Sequence, residues 1–412
     1  MASDVWIVGV GMTHFGRHPD RSVKDLTREA VTAALEDAGA AVPDIEAAWF
    51  GNVAQSILEG QAAVPGEIAL RSMGIGGIPV VNVENACASA STALDAAATW
   101  LEAGRGGVAL AVGVEKMFLD DKRKMMTVFD AGWDVHDVPA TTRRLLAMGQ
   151  GMEPPADEQD DPGLHSVFMD VYASLARHHM RTNGTTREQI AAVAAKNHDH
   201  SQHNPLSQYR KPMTVEEVLA SRRIAWPLTL PMCSPISDGA AAAILVRGDM
   251  LDRFDRKRAV RVHATALMSG TDRGPDEAEK HITRRAALAA YERAGVGPED
   301  MSVAEVHDAT AFAEILQIEN LGFCPLGEGG PLTMSGATRL GGRIPVNPSG
   351  GLESKGHPVG ATGLAQIYEL TTQLRGEAGA RQVPGARFAI AENGGGFHGI
   401  EEAAACVTIL GR

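Results

Sequence analysis

Cysteine is scarce in this chain: four are spread over 412 residues, at positions 87, 233, 324 and 406. No two share the short spacing of a zinc-ligand pair, and they are too few and too scattered for a disulfide framework. A reducing cytoplasm and a fold held by its own core are the corresponding expectations. Aromatic residues are few as well, at 5%. Basic residues are outnumbered: 38 Lys and Arg stand against 51 Asp and Glu, a formal net charge of −13. That balance argues against nucleic acid as a standing partner. No apolar run reaches membrane-spanning length, so no membrane is expected. The start, Val5-Trp6-Ile7-Val8-Gly9-Val10-Gly11, lacks the charged opening and small-residue cleavage site of a secretory signal. It reads as a short buried strand ending in a glycine turn. The last residues, Leu410-Gly411-Arg412, carry no peroxisomal or retention signal.

What the chain does have is repetition. Leu26–Gly39 and Ile282–Gly295 are identical at eight of fourteen positions. Both read as amphipathic helices stopped by a glycine. Both lead through a short acidic loop into a strand, Ala47–Asn52 in one case and Val303–Asp308 in the other. Asp238–Val246 then closes the first half as Gly399–Leu410 closes the second. Each half alternates strand and helix, which implies a layered α/β architecture. The expected organisation is a first half from 1–116 and 227–255, a second half from 256–412, and an inserted lobe, 117–226, lying over the first half. Each half is expected to hold a five-stranded mixed sheet. Within the lobe, Phe168–Arg181 and Thr186–Gln202 read as helices, and the acidic, proline-rich Gly151–Pro162 reads as a surface loop.

The chemistry starts at Cys87. It sits in Asn85-Ala86-Cys87-Ala88-Ser89-Ala90-Ser91, immediately before a long alanine-rich helical pattern. Free N–H groups and the positive dipole end at a helix mouth favour thiolate over thiol. The plain alternative is a buried structural cysteine. Far along the chain, Gly356-His357-Pro358-Val359-Gly360-Ala361-Thr362-Gly363 opens a second helix in the same way. A histidine there is expected to stay neutral and able to accept a proton. A thiol and a base of this kind are the parts of nucleophilic acyl transfer. In a duplicated chain the two occupy corresponding helix N-termini, and pseudo-twofold symmetry would bring them face to face.

Four segments together, those of Cys87 and His357 with His307-Asp308-Ala309-Thr310 and Gly394-Gly395-Gly396-Phe397-His398-Gly399, resemble the thiolase superfamily. With Asn197-His198-Asp199-His200 and Asn204-Pro205, the likeness is greatest to sterol-carrier-protein-X-type thiolases and related bacterial and archaeal, acetyl-CoA acetyltransferase-like proteins. It covers essentially the whole chain. The resemblance implies a thiolase fold, two duplicated halves in a five-layered αβαβα arrangement with an inserted loop lobe. It implies Cys87 as the acyl-accepting nucleophile and His357 as the base that activates it. His307, with His357, would help form one oxyanion hole. Gly394 and its two neighbours would lend a backbone N–H to a second, shared with the N–H of Cys87. Ser234 would touch the pantetheine arm of coenzyme A, or serve only as a turn residue. Acyl-CoA would be the substrate, with no permanently bound cofactor and no metal. A homodimer or dimer of dimers is implied, and a small zinc-ribbon/OB-fold protein partners some relatives.

The pattern is broken in one respect. The second catalytic cysteine of most thiolases stands two residues before the glycine triplet, and here that residue is Glu392. Sterol-carrier-type thiolases place a cysteine after the His-Asp pair, and here that residue is Ala309. Glu392 would be the missing base if burial raised its pKa, or a structural carboxylate otherwise. The expected function is a thiolase-type acyltransferase of lipid metabolism. A thiolase-fold retro-aldolase and a non-catalytic subunit of a complex are the competing readings.

Overall fold

The computed structural model describes residues 4–156, 158 and 165–412. The expected Gly151–Pro162 surface loop is therefore covered only in part. Its described residues are exposed or half-buried, and the rest of it lies outside the described residues.

The chain opens with β1 (Val5–Met12) and α1 (Val23–Ala38). Ser22 and Asp25 form a capping box at the start of α1, and Gly39 ends it in the left-handed region. Then come β2 (Ala47–Gly51), α2 (Ala54–Leu58), α3 (Pro65–Arg71), β3 (Val80–Val83), α4 (Ser89–Glu102) and β4 (Val108–Glu115). The inserted region holds α5 (Lys122–Asp130), α6 (Val138–Ala147), α7 (Val167–Asn183), α8 (Arg187–Ser201), α9 (Val215–Leu219) and a small hairpin, β5 (Arg223–Ala225) with β6 (Leu228–Thr229). β7 (Gly239–Arg247) returns to the main sheet. The second half runs β8 (Val260–Ser269), α10 (Ile282–Ala294), β9 (Val303–Glu305), α11 (Ala311–Asn320), α12 (Gly329–Met334), α13 (Thr362–Arg375), β10 (Phe388–His398) and β11 (Glu401–Gly411).

Among the described residues, nine strands form one continuous sheet in the order β3-β2-β4-β7-β1-β8-β11-β10-β9. The duplication is visible outward from its seam, where β1 and β8 pair antiparallel from Val5 opposite Val262 to Ile7 opposite Val260. On each side the closing strand lies beside the opening one. The next strand pairs with the closing strand antiparallel, β4 with β7 and β10 with β11. The one after that is parallel, β2 beside β4 and β9 beside β10. The expected five strands per half hold only for the first. In the second, the place of β3 is taken by a single parallel bridge, Ala304 to Val346. Pro345 has no N–H to donate on one side of Val346, and on the other the Ser349 N–H donates to Glu305 Oε1, so the ladder does not extend there.

The layers follow from helix packing. α1 covers β1, β7 and β4 on one outer face, and α10 covers β8 and β11 on the other. α4 and α13 touch each other and strands of both halves, which places them in the middle of an αβαβα stack. Their shared core uses Ala90, Ala93 and Ala97 from α4, Ala365 from α13 and Ala361 at its N-cap, all fully buried. A methyl contributes only about 0.8 kcal/mol on burial. The gain from these alanines is proximity, since it brings two helix N-termini together.

The inserted lobe lies over the first half only in part. α5 touches α2 there, whereas α7 and α8 pack on α11, and α8 also on α12, both in the second half. The cause is a separate apolar core in which Val171, Ile190 and Val193 meet Phe312, Ile315 and Phe397.

Candidate active site

β3 leads into a tight turn at 85–88 that presents Cys87 just ahead of α4, whose N-cap is Ala88. Ala86 has φ of 47°, a left-handed conformation that costs a residue with a Cβ about 1–3 kcal/mol. Three hydrogen bonds hold it. The Ala86 N–H donates to Glu84 Oε1 (2.7 Å), the Ser89 hydroxyl donates to the Ala86 carbonyl (2.7 Å), and the Asn85 N–H donates to Ser89 Oγ (2.9 Å).

His357 arrives from the other half, at the start of the turn that leads into α13. Its N–H donates to Ser237 Oγ (2.9 Å). Its Nδ1 lies 2.7 Å from Thr362 Oγ1, and that hydroxyl donates its own hydrogen to the Pro358 carbonyl (3.1 Å). Thr362 can then only accept from the ring, so Nδ1 carries the proton and Nε2 a bare lone pair. Nε2 lies 3.3 Å from Cys87 Sγ. The expected facing of the two helix mouths is thus present.

The protonation state differs from the expectation at the thiol. Burial, with the charges of Glu115, Glu84 and Glu402 adding to it, pushes Cys87 up to about 12. The helix mouth does not outweigh desolvation and three carboxylates. Burial, then the neighbouring His307 and Lys355, hold His357 well below its ordinary value. The resting pair is a neutral thiol beside a neutral imidazole.

His307 packs edge-on against His357, ring centroids 5.2 Å apart. Neither of its ring nitrogens has a hydrogen-bond partner among the described residues, though the residue is buried. Burial lowers it to about 4. A neutral ring with two unused nitrogens, on the wall of a cavity, is ready to bind an oxygen or a water. Asp308, next in sequence, turns away from this ring. Its carboxylate accepts from the Leu352 N–H (2.8 Å) and from Asn197 Nδ2 (3.1 Å). With His200 bonded to the Asn347 carbonyl and Asn204 to the Ser349 carbonyl, both at 3.0 Å, it secures the 347–355 turn that precedes His357.

Glu392 is not on the cavity wall. Its Oε2 accepts from the His307 N–H (2.9 Å) and its Oε1 from Thr283 Oγ1 (3.2 Å). Burial, with Glu402 adding, raises it to about 8, but the residue stands behind His307 and holds its backbone. The glycine triplet also meets the site differently from the expectation. Gly395 and Gly396, rather than Gly394, line the cavity. A Cβ on Gly395 would lie 2.3 Å from the Asn85 carbonyl oxygen and 3.0 Å from the Cys87 nitrogen. Gly394 faces Glu402, whose Cγ would be 2.8 Å from a Cβ there. Ser234 does lie on the wall, its N–H donating to the Ala309 carbonyl (3.0 Å).

These residues surround a cavity of about 810 Å³ with Cys87, His307 and His357 on its surface. Sequence reasoning missed its other wall, an aromatic group of Phe129, Trp133, Phe168, Tyr172 and Phe397. Centroids are 4.5 Å apart for Trp133 and Phe168, and 5.5 Å for Phe168 and Phe397. Four of the five come from the inserted lobe as two pairs spaced by four residues, Phe129 with Trp133 and Phe168 with Tyr172, and the distance between the pairs hid their meeting. Glu402 was missed too, although it follows the glycine triplet closely. One ligand atom each of Cys87, His307 and His357 lie within 4.8 Å of one another, close enough for a metal set. The thiol–imidazole contact already accounts for two of the three.

A family model described as "Thiolase, N-terminal domain" matches residues 5–249, and one described as "Thiolase C-terminal domain-like" matches 270–412. The chain is 40% identical over 403 residues to an acetyl-CoA acetyltransferase of Methanothermobacter thermautotrophicus, covering 96% of this chain and 97% of that one. It is 39% identical over 402 residues to sterol carrier protein 2 of Oryctolagus cuniculus, covering 94% of this chain and 69% of the relative. Among solved structures, an Ltp2–ChsH2 (DUF35) aldolase shares the fold with a TM-score of 0.77, at 24% identity over 99% of this chain and 98% of that one.

Proposed function

The chain belongs to the thiolase family, and on that premise we propose that it is an acyltransferase working through an acyl-enzyme on Cys87. The acyl donor is a coenzyme A thioester, and the second half-reaction is thiolysis of a β-ketoacyl-CoA or its reverse, Claisen condensation. The observation that carries this is the bare Nε2 of His357, 3.3 Å from Cys87 Sγ on the wall of the cavity. Sulfur attacks the thioester carbonyl while Nε2 takes its proton, and the imidazolium returns that proton to the departing coenzyme A thiolate. The carbonyl oxygen, as it gains charge, is held by the Cys87 N–H and by backbone at Gly395 and Gly396. His307 and His357 serve the oxygen of the second thioester. Exchange of one thioester for another is close to isoenergetic, so the intermediate is no trap. The aromatic wall and the cavity's volume favour a bulky, apolar acyl group, in keeping with lipid metabolism. Ser234 contacts the pantetheine arm in this reading.

Mass spectrometry after incubation with acyl-CoAs of increasing size is the test. An acyl adduct on Cys87 is expected, strongest for bulky chains. No adduct with any of them, together with cleavage of a β-hydroxyacyl-CoA, would favour the retro-aldolase reading, for which the absence of a second thiol at 309 and 392 speaks. No adduct and no cleavage would favour a non-catalytic subunit.

Assembly belongs to the same proposal. β3 is an edge strand with Val81 44% exposed and Val64 and Ile68 exposed nearby. Pairing this edge with a second copy would cover that surface and brace the turn bearing Cys87. An obligate homodimer, alone or as a dimer of dimers or with a small zinc-ribbon/OB-fold partner, would bury upwards of about 2,000 Å². Light scattering is expected to show at least a dimer at micromolar concentration, and a monomer would contradict this part. No resident cofactor and a cytoplasmic location complete the proposal. Among the described residues no helix is long and apolar enough to cross a membrane.

A further inference from the structure

Behind the main cavity lies a second one of about 250 Å³. Three side chains, Tyr172, Phe397 and Glu402, line both. Glu402 is buried, yet its Oε2 has no hydrogen-bond partner among the described residues. Its other oxygen, Oε1, accepts from Gln317 Nε2 (3.2 Å). Oε2 faces His281 Nε2 across 3.5 Å, too far for a formed hydrogen bond. The tautomer of His281 is set from the other side of the ring. Nδ1 accepts from the Thr283 N–H at 3.2 Å, so Nε2 carries the hydrogen and points it at the carboxylate. Gly394 leaves the room in which the Glu402 side chain sits.

We propose that Glu402 is the acid/base that moves the α-proton of the second acyl thioester, in place of the thiol that positions 309 and 392 lack. This rests on the thiolase reading above. In the condensing direction the carboxylate takes the α-proton as the C–H bond breaks. The resulting enolate carbon attacks the acyl-Cys87 carbonyl, the carbon–carbon bond forms and the C–S bond breaks. The proton on Glu402 then replaces the one Cys87 lost to coenzyme A in the first half-reaction, so the enzyme ends as it began. Thiolysis runs the same steps backward. His281 steadies the charged form, and the second cavity gives the carboxyl space away from the acyl chain. Burial, with Glu401 adding and Arg273 and Gln317 opposing, raises Glu402 to about 7, close to the working range of a general base at neutral pH.

The direct probe is exchange of the α-hydrogen of acetyl-CoA and longer acyl-CoAs in deuterium oxide, followed by mass spectrometry. Wild type and Cys87→Ala are expected to exchange. Glu402→Gln should lose roughly 10²–10⁴-fold in exchange and condensation while Cys87 still acylates, and Glu402→Asp, which keeps the carboxylate, should recover part. Exchange by Glu402→Gln at the wild-type rate, equal loss of acylation and exchange in both variants, or no exchange in the wild type would each overturn the proposal. Exchange without any Cys87 adduct would overturn the thiolase reading and leave the assignment of Glu402 standing.

Discussion

Replacing His357 by alanine should leave Cys87 in place and nearly inert, with acylation by acyl-CoA falling roughly 10²–10⁴-fold. The size of the loss follows from the thiol. With its pKa pushed up to about 12, almost no thiolate exists at neutral pH, and the attack depends on the lone pair 3.3 Å away. Removing the nucleophile itself, in Cys87→Ser, should cost more, on the order of 10⁴–10⁶-fold, since a hydroxyl is harder to deprotonate than a thiol. The pH profile carries the sharper signature. In the wild type both partners are neutral over a wide range, because His357 is held well below its ordinary value. Acylation should therefore show no acid limb near pH 6.5 and fall only where the depressed imidazole at last takes a proton. In His357→Ala the only nucleophile is thiolate made by hydroxide, so the rate should climb tenfold per pH unit through neutrality toward the thiol's own pKa. A bell centred near pH 6.5 in the wild type, or a flat profile in the variant, would contradict the neutral-pair description. A stopped-flow measurement of coenzyme A release from pH 5 to 9 resolves the two.

Gly395→Ala should have the second-largest effect, a loss of roughly 10²–10³-fold in acyl transfer with Cys87 and His357 both intact. The added methyl would sit 2.3 Å from the Asn85 carbonyl oxygen and 2.7 Å from the Ala88 nitrogen. None of these is the movable end of a side chain. All belong to the strained turn that aims Cys87, so the turn must shift and the donors around the developing oxyanion lose their places. Overpacking of this kind also costs about 1–3 kcal/mol of stability, which thermal denaturation will show. Alkylation of Cys87 by iodoacetamide needs the thiol and His357 but no oxyanion site, so it should fall much less than acyl transfer. Equal loss of the two would mean that the turn has collapsed and that the backbone contact has no separate role. Gly394→Ala offers a contrast one residue away. Its methyl meets Glu402 rather than the Cys87 turn, so first-step acylation should survive it.

The duplication was legible because it is written twice. α1 and α10 end on Gly39 and Gly295, both left-handed, and each is followed by a short turn and a strand of the sheet. Local rules suffice for such elements: an apolar stripe, a cap, a stop. The break in the second half's fifth strand was written there too, in Pro345, but weighing it needed knowledge of which strand would have stood there. Cys87 and His357 were legible as residue types at helix mouths.

The sequence alone determined the family, the two α/β halves and the placing of Cys87 and His357 at two helix mouths, because those depend on short stretches whose chemistry is local. Tertiary structure decided everything that depends on distance across the chain. It set the thiol's protonation state, since burial and carboxylates from three separate segments outweigh the helix mouth. It turned Asp308 toward the 347–355 turn and Glu392 toward the His307 backbone, and it left Glu402 facing the cavity. It gathered five aromatic rings, four from the inserted lobe and one from β10, into one wall. A side chain's neighbours in space come from all over the chain, and desolvation and hydrogen bonding act through those neighbours rather than through the residues beside it in sequence.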